Sequence, residues 1–152
     1  MNSEELRLLP LFAGLSAGQL GRPSARFSLV TFLAGAAIFA AGDRASSLYV
    51  VKSGEVIIRF HPYDGGSLDI DTVYAGGAFG WSAALRRSYY TASAICRTDV
   101  TAFAIQAHDL HQTVADNPEF ANALLEHASQ TASSRFDGLG QQIIRMLKPR
   151  AH

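Results

Sequence analysis

"FLAGAAIFAAGDRASSLYVVKSGEVII", residues 32–58, decides the fold. Two short β-prone runs, AAIFA and SLYVVKS, and the start of a third, EVII, are set apart by Gly35, by Gly42-Asp43 and by Gly54. Glycine takes positive φ without steric cost, so its return at the end of each run marks sharp turns between antiparallel strands. The same texture extends outward on both sides, through FSLVTF upstream and EVIIRF, SLDIDTVY, TASAIC and VTAFAI downstream, and predicts about seven or eight strands. Within EVIIRF, Val56, Ile58 and Phe60 alternate with Glu55, Ile57 and Arg59, and within SLDIDTV, Leu68 and Ile70 alternate with Asp69 and Asp71. Each of these strands therefore has one buried face. The connection HPYDGGS has the proline, aspartate and paired glycines of a hairpin, so the two strands are expected to pair antiparallel.

Helical patterns flank this β region. SEELRLLPLFAGLSAGQL contains a Leu-rich turn, a break at Pro10 and a second helix start at Ser16, whose hydroxyl caps the amides that follow. After Ile105 the alternation stops. Asp109 is expected to cap a short helix ending near Asn117, and Pro118 suits the first turn of the next helix, where its missing N–H is not needed. In that helix Phe120, Leu124 and Leu125 form one apolar stripe and Phe136, Leu139, Ile143 and Leu147 another, with Gly138 and Gly140 weakening the chain between them. The chain divides into a helical lead-in over 1–26, a β-roll over 27–106 and C-terminal helices over 107–147, all within one domain, 1–152. The fold class is mainly β with flanking helices: a jelly-roll β-barrel, or double-stranded β-helix, with a short N-terminal helical segment and a long C-terminal helix.

Composition narrows the function. Thirteen Lys and Arg residues balance thirteen Asp and Glu, with no basic run, so direct binding to nucleic acid is not expected. The one cysteine, Cys96, has no partner for an intrachain disulfide and reads as a small buried hydrophobe. The start MNSEELRLLPLF is acidic and soon broken by proline, unlike a secretory signal, and the longest uncharged stretch, Phe27 to Gly42, is shorter than the roughly 20 apolar residues of a membrane helix. A cytoplasmic location and no membrane partner are expected. Of the histidines, His61, His108, His111, His127 and His152, none forms a strand pair that could hold a metal. His108 and His111 share a helix face but make only two ligands, and both are expected to face solvent. With no nucleophile elbow, P-loop or dinucleotide-binding glycine pattern, an enzyme is not expected.

The glycine spacing of residues 32–58, together with LLPLFAGLS upstream and NPEFANALL downstream, resembles the cyclic nucleotide-binding domain of bacterial Crp/Fnr-type regulators, kinase regulatory subunits and gated channels. The resemblance makes GGAFGWSAALRRSYYTASA, residues 76–94, the phosphate-binding cassette, a glycine-led short helix whose amides face a cyclic phosphate. It implies ligand-binding roles for Phe79, Gly80, Trp81, Ser82 and Ala83 at the helix start, and for Arg87, Tyr90, Thr91 and Ala92 after it. Helix-start N–H groups suit an anion whatever side chains follow. The family's ribose-binding glutamate, however, falls on Trp81, and its phosphate-binding arginine falls on Tyr90. A lost charge-assisted hydrogen bond removes about 1.5–3 kcal/mol, on the order of ten- to a hundredfold in affinity. The expected ligand is accordingly cAMP or cGMP bound weakly or atypically, or another small anion, and no cofactor is expected.

Several side-chain roles stay open at this point. Arg86 or Arg87 either enters the pocket or remains a solvated loop residue. Trp81 either stacks on a flat ligand or fills the barrel mouth, and the hydroxyls of Tyr89 and Tyr90 either donate to phosphate or belong to half-buried strand residues. Only Lys148 to His152 follow the long helix in this sequence, so a helix-turn-helix is not expected in it. The expected function is a stand-alone sensory or regulatory domain that signals through protein contacts with an unknown protein partner, with a homodimer forming through the C-terminal helix. The alternatives are a degenerate interaction module that binds no small molecule and, less favoured, a cupin-like metalloenzyme.

Overall fold

Ser16 starts the first α-helix as its hydroxyl predicts, accepting a hydrogen bond from the Gln19 amide (3.2 Å) while the Gln19 side chain accepts from the Ser16 amide (2.8 Å). This reciprocal capping satisfies two donors that the helix itself cannot. The computed structural model describes residues 5, 6, 8–62 and 65–129. After a 3-10 turn at Pro10–Phe12, helix α1 (Ala17–Arg26) leads directly into strand β1 (Phe27–Phe32). Seven further strands follow: β2 (Ala37–Phe39), β3 (Ser47–Ser53), β4 (Val56–Phe60), β5 (Leu68–Val73), β6 (Ala78–Phe79), β7 (Ser93–Cys96) and β8 (Val100–Gln106). A short helix, α2 (Trp81–Ala84), lies between β6 and β7, and α3 (Ala107–Asp116) and α4 (118–129) follow β8.

The strands form two four-stranded antiparallel sheets, ordered β1-β8-β3-β6 and β2-β7-β4-β5. This is the expected jelly roll. Gly35, Gly42 and Gly54 adopt φ of 85°, 92° and 97°. At Gly54 a side chain would also collide with the Asp99 carbonyl of the next turn, so that corner closes only around glycine. β4 and β5 pair antiparallel as the hairpin composition predicts, with a bulge between Ile58 and Arg59 that brings Arg59 opposite Asp69, where their side chains pair at 2.7 Å. β6, only two residues long, is an addition that periodicity does not reveal.

The sequence pattern of β3 and β8 explains the layering. Leu48 and Val50 on β3, with Phe103 and Ile105 on β8, face one apolar cluster; Val51, Val100 and Ala102 face another. Both faces of these central strands are buried, so they read as unbroken apolar runs. The first cluster lies beneath the helices and joins Leu11, Phe12 and Leu20 to Phe120 and Leu124 of α4. There Phe12 stacks on Phe120 (centroids 5.4 Å, 14°) and Phe27 meets both edge-on. Burying each such ring contributes about 1.5–3 kcal/mol. The second cluster fills the interior of the roll and contains Cys96, which is 1% exposed.

Two helix expectations need correction. Asp109 does not cap α3; the helix starts two residues earlier at Ala107, with Gln106 at the N-cap making no side-chain cap, and the Ala107 amide bonds to the Ser46 carbonyl at 2.8 Å. Asp109 sits in the first turn, where its charge complements the helix dipole. Asn117 ends α3, and its Oδ1 accepts from the Phe120 amide (3.0 Å), making it the N-cap of α4 with Pro118 in the first turn. Leu125 does not share the stripe of Phe120 and Leu124: it is 67% exposed, because one residue along a helix turns about 100° and carries it off the buried face. The second stripe, Phe136 to Leu147, and both glycines within it lie outside the described residues.

Candidate ligand-binding site

The chain enters the candidate site through β6, where Phe79 pairs with Tyr49 of β3, and turns at Gly80. Gly80 has φ 85° and ψ 31°, and a Cβ on it would stand 2.8 Å from the Ser47 carbonyl oxygen. Both the left-handed backbone and the close approach demand glycine. Beyond it, α2 is a single turn. The Ala83 amide bonds back to the Gly80 carbonyl (3.1 Å), and the Arg87 amide to the Ser82 carbonyl (2.9 Å). Ala83, expected to offer its N–H to a ligand, therefore spends it within the turn. The amides of Trp81 and Ser82 open the helix and lie outside its own ladder.

Two contacts hold this turn against the C-terminal helices. His111 of α3 donates through Nε2 to the Ala83 carbonyl at 2.8 Å. The expectation that His111 faces solvent is thus overturned: α3 runs beside α2, and the Ala83 carbonyl, which also accepts from the Arg86 amide at 3.4 Å, has a second lone pair for a nearby donor. His108 is exposed as expected. Trp81 lies in the core beneath the helices, 9% exposed, and stacks against His127 of α4 with centroids 6.0 Å apart. Its Nε1 is buried with no hydrogen-bond partner. Burial also lowers the His127 pKa from the ordinary 6.5.

After α2 the backbone turns through Arg86, an exposed residue at φ 59°, and returns along the 40–45 loop. The Tyr90 amide donates to the Asp43 carbonyl and its carbonyl accepts from the Gly42 amide, both at 2.9 Å. Tyr90 itself is buried, 4% exposed, with its ring stacked on Phe39 at 3.6 Å and 9°. Its hydroxyl donates to the Ser47 carbonyl (2.6 Å) and accepts from the Ser47 amide (3.0 Å). Burial raises its pKa, so it remains a neutral hydroxyl. The Tyr90 proton is committed to the fold and is not available to a phosphate.

These elements enclose a cavity of about 530 Å³. Gly80, Trp81, Ser82, Arg87, Tyr90, Thr91 and Ala92, all named from the sequence, line it together. Phe79 and Ala83 do not: both are buried in the interior of the roll, Phe79 stacked on Tyr49 at 5.1 Å. The sequence reading missed Phe39 and Ile58 on the inner sheet, Leu85 at the end of α2, and Ala128 and Ser129 on α4. Among the described residues that line the cavity Arg87 is the one charged side chain, and no histidine, cysteine or carboxylate joins it. Among the described residues no group of three or more His, Cys, Asp or Glu side chains is placed to hold a metal, and no helix is long and apolar enough to cross a membrane.

Residues 29–117 match the family model of the cyclic nucleotide-binding domain. The chain belongs to that family. As a cyclic nucleotide-binding domain it is similar in fold and sequence to the N-terminal domain of a transcriptional regulator from Streptomyces coelicolor, at 30% identity and a TM-score of 0.67 over 88% of this chain and 95% of that one. It is similar also to the sensor domain of the transcriptional regulator DNR from Pseudomonas aeruginosa, at 26% identity and a TM-score of 0.70 over 89% and 91%. Among curated proteins it is 30% identical over 131 residues to Glutaminase 1 of Bradyrhizobium diazoefficiens, covering 86% of this chain and 21% of that protein. The chain thus spans about a fifth of the length of this relative.

Proposed function

We propose that this cyclic nucleotide-binding domain is a sensory domain that binds a small anionic ligand in the cassette cavity and passes its state to other proteins through α4. The cavity carries this reading. Its wall combines the start of α2 and Arg87 with Ala128 and Ser129 of α4, so an occupant touches the cassette and the C-terminal helix at once. Trp81 against His127 couples the same two regions, while His111 of α3 holds α2 through the Ala83 carbonyl. A ligand that favours one position of α4 shifts its population by its differential affinity.

Binding rather than catalysis suits the described wall, where the Tyr90 proton is committed to the Ser47 carbonyl and no histidine, cysteine or carboxylate is among the described lining residues. The domain acts on partners rather than on a substrate of its own, and a homodimer through the C-terminal helix is one such contact. The likeness to a fifth of a glutaminase fits a domain that regulates an enzyme to which it is joined or docked.

Cyclic nucleotides are weak ligands in this reading, since Trp81 and Tyr90 stand where the family's glutamate and arginine would be. Calorimetry and thermal-shift measurements with cAMP, cGMP, phosphate, sulfate and organic carboxylates, at constant ionic strength, test the proposal. At least one anion should stabilise the chain beyond chloride, and Arg87→Ala should weaken it. If none does, the domain is an interaction module without a small-molecule ligand.

A further inference from the structure

The chemistry of the cavity wall specifies its ligand more narrowly than the family does. Taking the cavity to be the ligand site, as proposed above, we infer that its occupant is a flat, largely apolar monoanion of the arenecarboxylate class rather than a cyclic nucleotide.

Polar groups on a bound ligand must find partners, because a buried polar group left unpaired opposes binding more strongly than a formed hydrogen bond favours it. A cyclic nucleotide brings a ribose hydroxyl, a phosphodiester and a base edge. Against these the described residues of the wall include no carboxylate to accept from a hydroxyl or an exocyclic amine. The one phenol in the wall, Tyr90, has both hydrogen-bonding capacities used on Ser47. What remains among the described lining residues is the Arg87 guanidinium and the hydroxyls of Ser82, Thr91 and Ser129.

Those groups match one anionic head. A guanidinium presents parallel N–H donors that fit a carboxylate in bidentate geometry. The rest of the wall is apolar: Phe39, Ile58, Leu85, Ala92 and Ala128, with the ring of Trp81. Because Phe39 and Tyr90 are stacked nearly parallel, they form a rigid flat block rather than a set of mobile side chains. A planar ring gains from burial there and from ring–ring contact, and it brings no polar group that the wall leaves unpaired.

The test is titration calorimetry on the full chain with 2-naphthoate, its neutral counterpart 2-naphthylmethanol, cAMP, cGMP and inorganic phosphate, on wild type and Arg87→Ala. Arg87 is exposed, so the variant is expected to fold. The expected result is binding of naphthoate at least tenfold tighter than of the alcohol or either nucleotide, with the gap to the alcohol closed in R87A. Tighter binding of cAMP or cGMP than of naphthoate overturns this inference and leaves the cavity standing as an anion-sensing site. Equal binding of acid and alcohol, unchanged in R87A, also overturns it, by removing the anionic head. If no probe binds, this inference and the ligand-sensing reading fail together.

Discussion

The hydroxyl of Tyr90 is closed onto both backbone groups of Ser47, donating to the carbonyl at 2.6 Å and accepting from the amide at 3.0 Å. Tyr90 is therefore a brace across the roll, tying the loop after α2 to the first residue of β3. Tyr90→Phe keeps the stack on Phe39 but strands two backbone groups. The expected loss is about 1–3 kcal/mol in urea unfolding, with far-UV circular dichroism unchanged. An unchanged unfolding midpoint would show that water replaces the hydroxyl without cost.

Gly80 and Gly42 separate two reasons for glycine. Both have positive φ, but a Cβ on Gly42 meets open space whereas one on Gly80 meets the Ser47 carbonyl. Gly42→Ala is expected to cost about 1 kcal/mol and Gly80→Ala about 2 kcal/mol or more, since only the second adds a steric clash to the left-handed backbone. Equal losses in chemical denaturation would indicate that β3 shifts to make room.

The depressed pKa of His127 makes stability depend on pH. Its folded-state pKa lies below the unfolded 6.5, so the unfolded chain binds the proton more readily. This contribution is fully present above pH 6.5, and it is lost as the pH falls from there through the lowered folded value. Urea midpoints for wild type should decline across that window, and His127→Gln should decline less steeply. Parallel curves would place the pH dependence on other groups.

Cys96 lies 1% exposed in the roll interior, and burial, with the Asp99 charge as a smaller influence, raises its thiol pKa. Ellman's reagent should leave it unmodified in the native chain at neutral pH and titrate it fully in denaturant. Fast native reaction would mean that β7 opens readily.

What could be read from the chain in advance were the features set by local sterics and short-range hydrogen bonding. Positive φ at Gly35, Gly42 and Gly54 follows from the missing Cβ, and the Ser16 cap and the Pro118 helix start follow from backbone groups within one turn. Family likeness added the cassette, and most of its residues do converge on one cavity. Tertiary structure alone decided what those residues do. Tyr90 meets Ser47 across 43 positions, and His111 meets Ala83 across 28. Phe39 and Ile58 reach the cavity because two sheets close over each other, and Leu125 leaves the core because only the helix phase against Phe12 and Phe27 tells which face of α4 is covered. Whether a hydroxyl or an imidazole is free for a ligand depends on which distant backbone group reaches it first, and that competition is settled by packing in three dimensions rather than by spacing along the chain.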